Sequence, residues 1–379
     1  MAKITKVKII PLTVPYVAPL SISLGTISEA RNVIVQLYAD NGVEGVGEAS
    51  PFVFEYSKET QESIVEFLNQ IAPEILQMDP FDVEQIHETM DRTAGSTCAK
   101  SAVDIALYDL MGKILGVPVY QLIGGQVRET IPLWYAVSWD RGFDYMAKEA
   151  EEWVSLGFKG IMVKIGNGIE KDEKALKLVR SRVGADVPII ADPNQAYSTL
   201  EAIELTERTA VYINALEGPV EGSNIAGLKS VKDLHLIPVI ADESLFSSSD
   251  AVTLVREQAA DMFLIKLLKV GGFHKAKEIF SIARAAGIRC CAASMTNLGI
   301  GHLANLHFAT AFPLYEGFGF GFENLFQIFG TAQGIRERDV CVTPPLQGGY
   351  FRAPTGPGLG CTLIESQINK YALEEILHE

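Results

Sequence analysis

Five short, mostly apolar runs in the middle of the chain each end in a charged side chain: Ile161-Met-Val-Lys164, Ile189-Ile-Ala-Asp192, Asn214-Ala-Leu-Glu217, Val239-Ile-Ala-Asp242 and Phe263-Leu-Ile-Lys266. The steps between these charges are 192 − 164 = 28, 217 − 192 = 25, 242 − 217 = 25 and 266 − 242 = 24 residues, enough for one strand, one helix and two loops. A parallel strand buried on both faces reads as a continuous apolar run, so the pattern predicts a β/α repeat. In a barrel of such units the residues at the carboxyl ends of successive strands converge on one mouth. The order Lys, Asp, Glu, Asp, Lys then places three carboxylates side by side with an amine on either flank.

The same reading predicts strands at 132–137, 161–165, 188–192, 213–217, 238–242, 262–266, 288–293 and 313–316, with helices that include 170–183, 199–210, 248–259 and 274–286. Before residue 125 the character differs. Strand-like alternation runs over 3–10 and 32–39, Asn41-Gly42 marks a turn, and helical periodicity covers 58–76 and 99–115. The last of these places Ala102, Ala106 and Leu110 on one face, where small side chains allow close approach, and Gly116-Val-Pro118 stops it. Gly124-Gly125 is the expected boundary, giving an N-terminal unit at 1–125 and a barrel at 126–345. The stretch Gly348 to Gly360 is too rich in Gly and Pro for a barrel layer, so 346–379 is assigned to a return toward the first unit.

Composition narrows the function classes. With 379 residues, 48% of them hydrophobic and 21% charged, the chain can bury a large core in two domains. A formal net charge of -15 repels nucleic acid and anionic membrane surfaces, which leaves a small partner. Cys98, Cys290, Cys291, Cys341 and Cys361 have neither framework nor zinc-type spacing and read as free thiols in a reducing cytoplasm. The first ten residues alternate like a strand and lack a secretory apolar core, and no run approaches the roughly 18 apolar residues of a membrane span.

The strand-end residues carry the chemistry. Asp192, Glu217 and Asp242 would put three negative charges on one rim, which is costly unless a cation sits among them. Oxygen ligands without His or Cys favour a hard ion, Mg2+ before Mn2+ or Ca2+. Singly, each acid also reads as a helix cap or turn residue, Asp192 before Pro193 above all; three at nearly equal intervals beside lysines do not. Lys164 and Lys266, on the flanking strands, are placed for acid and base work, because an amine near a cation and another amine loses its proton more readily than in water. Asn194 can reach a ligand or the substrate, or form a turn after Asp-Pro; Glu243 can orient Lys266; Lys269 reads as a loop contact or structural residue.

These residues bring the chain close to a known family. The motifs Ala102 to Lys113, Pro118-Val, Leu122-Ile-Gly-Gly125, Val163-Lys164-Ile-Gly166, Ala191-Asp192-Pro-Asn194, Leu216-Glu217-Gly-Pro219, Ala241-Asp242-Glu243-Ser244 and Lys266-Leu-Leu-Lys-Val-Gly-Gly272, in this order, resemble the enolase superfamily, in its mandelate racemase and muconate lactonizing enzyme branch. The likeness runs over nearly the whole chain. It implies an α/β fold, a modified (β/α)7β barrel under an α+β capping domain built from both chain ends, and commonly a homo-oligomer. It also implies Mg2+ on Asp192, Glu217 and Asp242, with Lys164 and Lys266 as opposed bases; Lys or His bases with Mg2+ are the general pattern of the superfamily. The implied first step is removal of the proton alpha to a carboxylate through an enediolate. Return of the proton gives racemisation or epimerisation, and the reverse step onto an alkene gives cycloisomerisation. Loss of a beta hydroxyl gives dehydration, a lyase reaction. A Schiff-base aldolase using a barrel lysine is the alternative from another mechanistic class.

Two departures bear on the substrate. The family often has Lys-x-Lys where this chain has Met162-Val-Lys164, so the side chain that shares the inward face with Lys164 is uncharged. The seventh strand exits through Ser294-Met-Thr-Asn297, where many relatives carry an acid, and the dipeptide-epimerase Asp-x-Asp pattern is missing near the eighth; both argue against substrates with a free ammonium, amino acids and dipeptides among them. Met162, Ser294, Asn297 and Tyr56 are the expected substrate contacts. The loops expected at 15–30 and 50–57, with Tyr16, Phe52, Phe54 and Tyr56, and the later Phe318, Phe320 and Phe322, predict an aromatic lining for an apolar or ring-bearing acid.

Overall fold

Two sheets organise the computed structural model, which describes residues 2–315, 320–321, 339–342 and 344–379. The first is antiparallel. Strands β1 (Ile4–Ile22) and β2 (Gly25–Ala39) form one long hairpin, and β3 (Glu44–Ala49) follows the turn at Asn41-Gly42. The segment 15–30, expected as a loop, is instead the outer half of this hairpin. Val14, Tyr16, Leu20 and Ile22 are buried at every second position apart from a register shift between Pro15 and Leu20, which keeps the chain extended.

Helices α1 (Phe54–Ser57), α2 (Gln61–Ile75), α3 (Val83–Asp91), α4 (Thr97–Leu115) and α5 (Val119–Ile123) follow. The small face of α4 does what its sequence requires. A Cβ on Gly47 would lie 1.9 Å from the Ala102 carbonyl oxygen, and one on Gly45 2.2 Å from that of Ala106, so only glycine lets β3 lie this close to the helix.

The second sheet is the barrel. Its parallel strands are β4 (Thr130–Val137), β5 (Gly160–Lys164), β6 (Ile189–Asp192), β7 (Ala215–Glu217), β8 (Val239–Ala241), β9 (Met262–Ile265), β10 (Arg289–Ala292) and β11 (Phe320–Gly321), in the spatial order β10-β9-β8-β7-β6-β5-β4-β11. Between them run α6 (Phe143–Ser155), α7 (Ile169–Val183), α8 (Thr199–Thr209), α9 (Ile225–Lys232), α10 (Ser248–Glu257), α11 (Leu267–Val270), α12 (Gly272–Ala285) and α13 (Gly299–Ala311). The inward faces of the strands build a separate small core of Trp134, Ala136, Met162, Ile190, Ala215, Ile240, Met262, Leu264, Cys291 and Ala293. The interior is therefore filled, and chemistry is confined to the mouth.

The strand expected at 313–316 is not where the barrel closes. Pro313, which has no N–H to donate, interrupts that run, and Tyr315 donates its N–H to the Cys290 carbonyl at 2.7 Å; the eighth strand is Phe320–Gly321, paired with Leu133 and Trp134 of β4. The chain ends with β12 (Cys341–Val342), β13 (Tyr350–Arg352), β14 (Thr362–Leu363), α14 (Glu365–Tyr371) and β15 (Ile376–His378). β13 pairs with β4 of the barrel, whereas β15 pairs with β1, opposing His378 to Val7. Buried carboxylates of α4 join these parts. Asp109 accepts the N–H groups of Val46 and Leu359 at 2.8 and 2.7 Å, and Asp104 accepts those of Phe273 and His274 at the start of α12. Among the described residues, no helix is long and apolar enough to cross a membrane.

Candidate functional site

The five strand-end charges lie together at the carboxyl end of the barrel, each at most 4% exposed. Lys164 ends β5 directly opposite Asp192 at the end of β6, and its Nζ donates to Asp192 Oδ2 at 2.7 Å. Glu217 ends β7, Asp242 follows β8 and Lys266 follows β9. Four steps around an eight-strand ring separate β5 from β9, so the two amines enter the mouth from opposite sides.

Asp242 is the most heavily bonded of the acids. Lys266 donates to its Oδ2 at 2.8 Å, Lys269 to its Oδ1 at 2.7 Å, and the Tyr56 hydroxyl lies 2.9 and 3.0 Å from the two oxygens. Burial works against its ionisation, but Lys266 and Lys269 outweigh it and hold the carboxyl well below the usual carboxylate range. Glu217 is the opposite case. Burial first, then the charges of Asp192 and Asp242, push its carboxyl well above the ordinary value, and neither of its buried oxygens has a hydrogen-bond partner among the described residues. An unsatisfied buried carboxylate is stable only if it is protonated or meets a cation.

With Asp192 and Asp242 turned onto lysines, no three acids, His or Cys among the described residues stand as a ready-made metal cluster. The donor set is nonetheless the one a hard divalent ion requires: all oxygen, three buried charges on adjacent strands, and two oxygens of Glu217 unspent.

The other expected contacts divide. Asn194 is both a turn residue and a link in the site: at φ +42 its N–H returns to Asp192 Oδ1 at 2.8 Å while its Nδ2 donates to Glu243 Oε1 at 3.0 Å. Glu243, expected beside Lys266, is thus tied to Asn194, and burial together with Asp242 and Asp192 pushes it up to about 8. Met162 packs in the barrel core two residues before Lys164. Ser294 Oγ and Asn297 Nδ2 are buried donors without a partner among the described residues. Tyr56 stands on Asp242 with Lys266 Nζ 5.2 Å from its ring centroid. Of the aromatic lining, Phe52 meets Tyr56 edge-on at 5.4 Å and Tyr16 is buried, but Phe54 is 54% exposed. Phe318, Phe322 and the side chain of Phe320 lie outside the described residues.

Two contacts were not specified by the sequence reading. Lys269, expected as a loop contact or structural residue, is fully buried on Asp242, also donating to that residue's carbonyl at 2.7 Å; its one sequence signal is its position one turn beyond Lys266 in an apolar stretch. Glu48 of β3 reaches under the seventh-strand exit. It accepts the Leu298 and Gly301 N–H groups at 2.7 and 2.8 Å and the Asn32 amide at 2.7 Å, and Asn32 also donates to the Thr296 carbonyl at 2.7 Å.

Burial raises Glu48 from its ordinary 4.5 to about 7, against these hydrogen bonds and with help from Asp339. The folded protein therefore holds this proton more tightly than the unfolded chain. The stabilisation is complete below about 4.5 and is lost as pH rises through about 7, an effect of up to ~3 kcal/mol. Glu48→Gln removes this dependence. Unfolding measured from pH 4.5 to 8 should show wild type losing stability relative to the variant as pH rises, and a constant difference would refute the assignment.

Two family profiles match the chain: "Mandelate racemase / muconate lactonizing enzyme, N-terminal domain" over residues 4–124 and "Enolase C-terminal domain-like" over residues 145–367. The hydrophobic dipeptide epimerase of Enterococcus faecalis is 38% identical over 294 residues, 76% of this chain and 81% of that protein. The chloromuconate cycloisomerase of Cupriavidus pinatubonensis is 30% identical over 98% of this chain and 99% of its own length. The crystal structure of the dipeptide epimerase from Enterococcus faecalis V583, complexed with Mg and the dipeptide L-Leu-L-Tyr, superposes with a TM-score of 0.85 at 32% identity, covering 95% of this chain and 99% of that one.

Proposed function

The chain belongs to the mandelate racemase/muconate lactonizing enzyme family of the enolase superfamily, and from that premise we propose that it is a magnesium-dependent racemase or epimerase of a small carboxylic acid. The observation that carries this reading is the pair of lysines entering from opposite sides of the mouth, Lys164 paired with Asp192 and Lys266 with Asp242. An acid whose α-carbon lies between them presents its proton to one amine. The other, as an ammonium, delivers a proton to the opposite face, which inverts the centre without a second substrate.

Asp192, Glu217 and Asp242 would hold the metal. Bound Mg2+ supplies electrophilic stabilisation for the charge that builds on the substrate carboxylate as the proton leaves. Lys269 and Tyr56 keep Asp242 oriented. Ser294 Oγ and Asn297 Nδ2, buried and without a partner among the described residues, would donate to an acceptor on the substrate such as an acyl oxygen. That reading accommodates the missing acid near Asn297, because an acylated nitrogen carries no charge to be met.

Burial of four of the five cysteines as free thiols suits a reducing cytoplasm, and association with further copies of the chain completes the proposal. The test is to incubate a panel of chiral carboxylates with protein and magnesium in heavy water. A racemase or epimerase incorporates one deuterium at the α-carbon as optical rotation decays; loss of water or an opened lactone in place of exchange would overturn the assignment.

A further inference from the structure

Helix α13 starts at the exit of the seventh barrel strand without a cap of its own. Leu298, at its N-cap position, has no side-chain oxygen, and the first N–H groups are met from other parts of the chain: Glu48 of β3 accepts those of Leu298 and Gly301 at 2.7 and 2.8 Å, and Asp339 accepts that of Gly299 at 2.9 Å. The loop ahead of the helix is gripped by the capping domain as well. Asn32 of β2, itself bonded to Glu48, donates to the Thr296 carbonyl at 2.7 Å, and the hydroxyls of Ser50 and Thr296 lie 2.5 Å apart. Glu48, Asn32 and Ser50 are all fully buried.

The residue between these grips is Asn297. Asn32 and Ser50 fix the residue before it, Glu48 the residue after it. Its amide also packs on Gly301, the second residue bonded to Glu48, where a Cβ would lie 2.9 Å from Asn297 Nδ2. Asn297 Oδ1 accepts the Met295 N–H at 3.1 Å, so the oxygen is spent within the loop and the NH2 group is the end left to donate. Capping the helix requires only the bonds to Leu298 and Gly301; the bonds to Thr296 add nothing to it and hold the chain on the other side of Asn297. We propose that Glu48, with Asn32 and Ser50 beside it, is a positioning residue for Asn297, through which the capping domain sets how tightly an acyl oxygen of the substrate is bound. The proposal rests on the reading above in which Asn297 donates to that oxygen. The physical gain is preorganisation: an amide already held in one place loses little freedom when a ligand arrives.

The experiment compares the full chain, carrying 15N-labelled asparagine, with its Glu48→Gln variant, which keeps the size of the side chain but turns an NH2 group toward a backbone N–H. The side-chain amide resonances of Asn297, identified by their loss in Asn297→Ala, should shift or broaden in Glu48→Gln. In calorimetric titrations with excess magnesium chloride, wild type should bind N-acetyl-L-phenylalanine more tightly than 3-phenylpropanoate, which lacks the acylamino group. Glu48→Gln should lose about fivefold in affinity for the acetylated probe, the scale of one neutral hydrogen bond, and nothing for the other. In the Asn297→Ala background the same substitution should cost nothing further, because a residue that acts through another has no effect once that other is gone. Ser50→Ala, which takes one hydroxyl from the brace, should act in the same direction to a smaller extent and carries the test if Glu48→Gln does not fold. An unmoved Asn297 resonance, equal losses for both probes, or additive losses in the double variant would overturn the proposal. Equal affinity of wild type for the two probes, or binding of neither, would instead overturn the acyl reading, and the Asn297 resonance would still decide the role of Glu48.

Discussion

Glu217→Gln should abolish turnover, at a loss of roughly a thousandfold or more in kcat/KM, about 4 kcal/mol of transition-state stabilisation. The substitution changes one oxygen for an NH2 group with little change in size, and it touches no hydrogen bond among the described residues, since neither Glu217 oxygen has one there. What it removes is the charge that Asp192 and Asp242 make so costly. The thermal behaviour should therefore move in the opposite direction to activity. In chelator the variant should melt above wild type, because a buried unsatisfied carboxylate has become a neutral group. Magnesium should stabilise wild type by about 2.7 kcal/mol at a hundred times its Kd, raising its melting point, and leave the variant nearly unmoved. A variant stabilised by magnesium as much as wild type would show that the three acids do not hold the ion.

The second large effect divides the lysines. Lys164→Ala should stop α-deuterium exchange from one substrate enantiomer, and Lys266→Ala from the other, each by the 10^2 to 10^4-fold or so that a positioned general base contributes. The division follows from their strands, four steps apart around the ring, which put one amine on each face of the reacting carbon. Exchange measured separately on the two pure enantiomers decides it. Equal loss for both enantiomers in each variant would mean a single base, and would remove the basis for inversion. Each variant also strips an ion pair from a buried acid, Asp192 or Asp242, so circular dichroism should accompany the kinetics to show that the barrel persists.

The barrel was legible because its strands are buried on both faces and must be apolar throughout, which leaves the charge at each strand end conspicuous. Lys164, Asp192, Glu217, Asp242 and Lys266 could all be read from that contrast alone. The eighth strand was misplaced: the apolar run that imitated it contains Pro313, and the described residues that pair with β4, Phe320 and Gly321, come after it. The hairpin over 15–30 was hidden for a different reason. Its prolines and small polar residues read as loop, whereas its extension goes with the burial of Tyr16, Leu20, Ile22, Ile27 and Ala30 and with pairing between β1 and β2. Lys269, Glu48 and the Asn194–Glu243 bond depend on contacts between residues up to 253 positions apart, and no local spacing encodes those.

The pairing of β15 with β1 has a consequence for how the molecule is made. The edge of the first sheet is finished by residues 376–378, which leave the ribosome only after every barrel strand has been synthesised. Strand β1 must therefore wait with one flank unzipped while the barrel is translated, and chaperones that shield bare strand edges would find their substrate there.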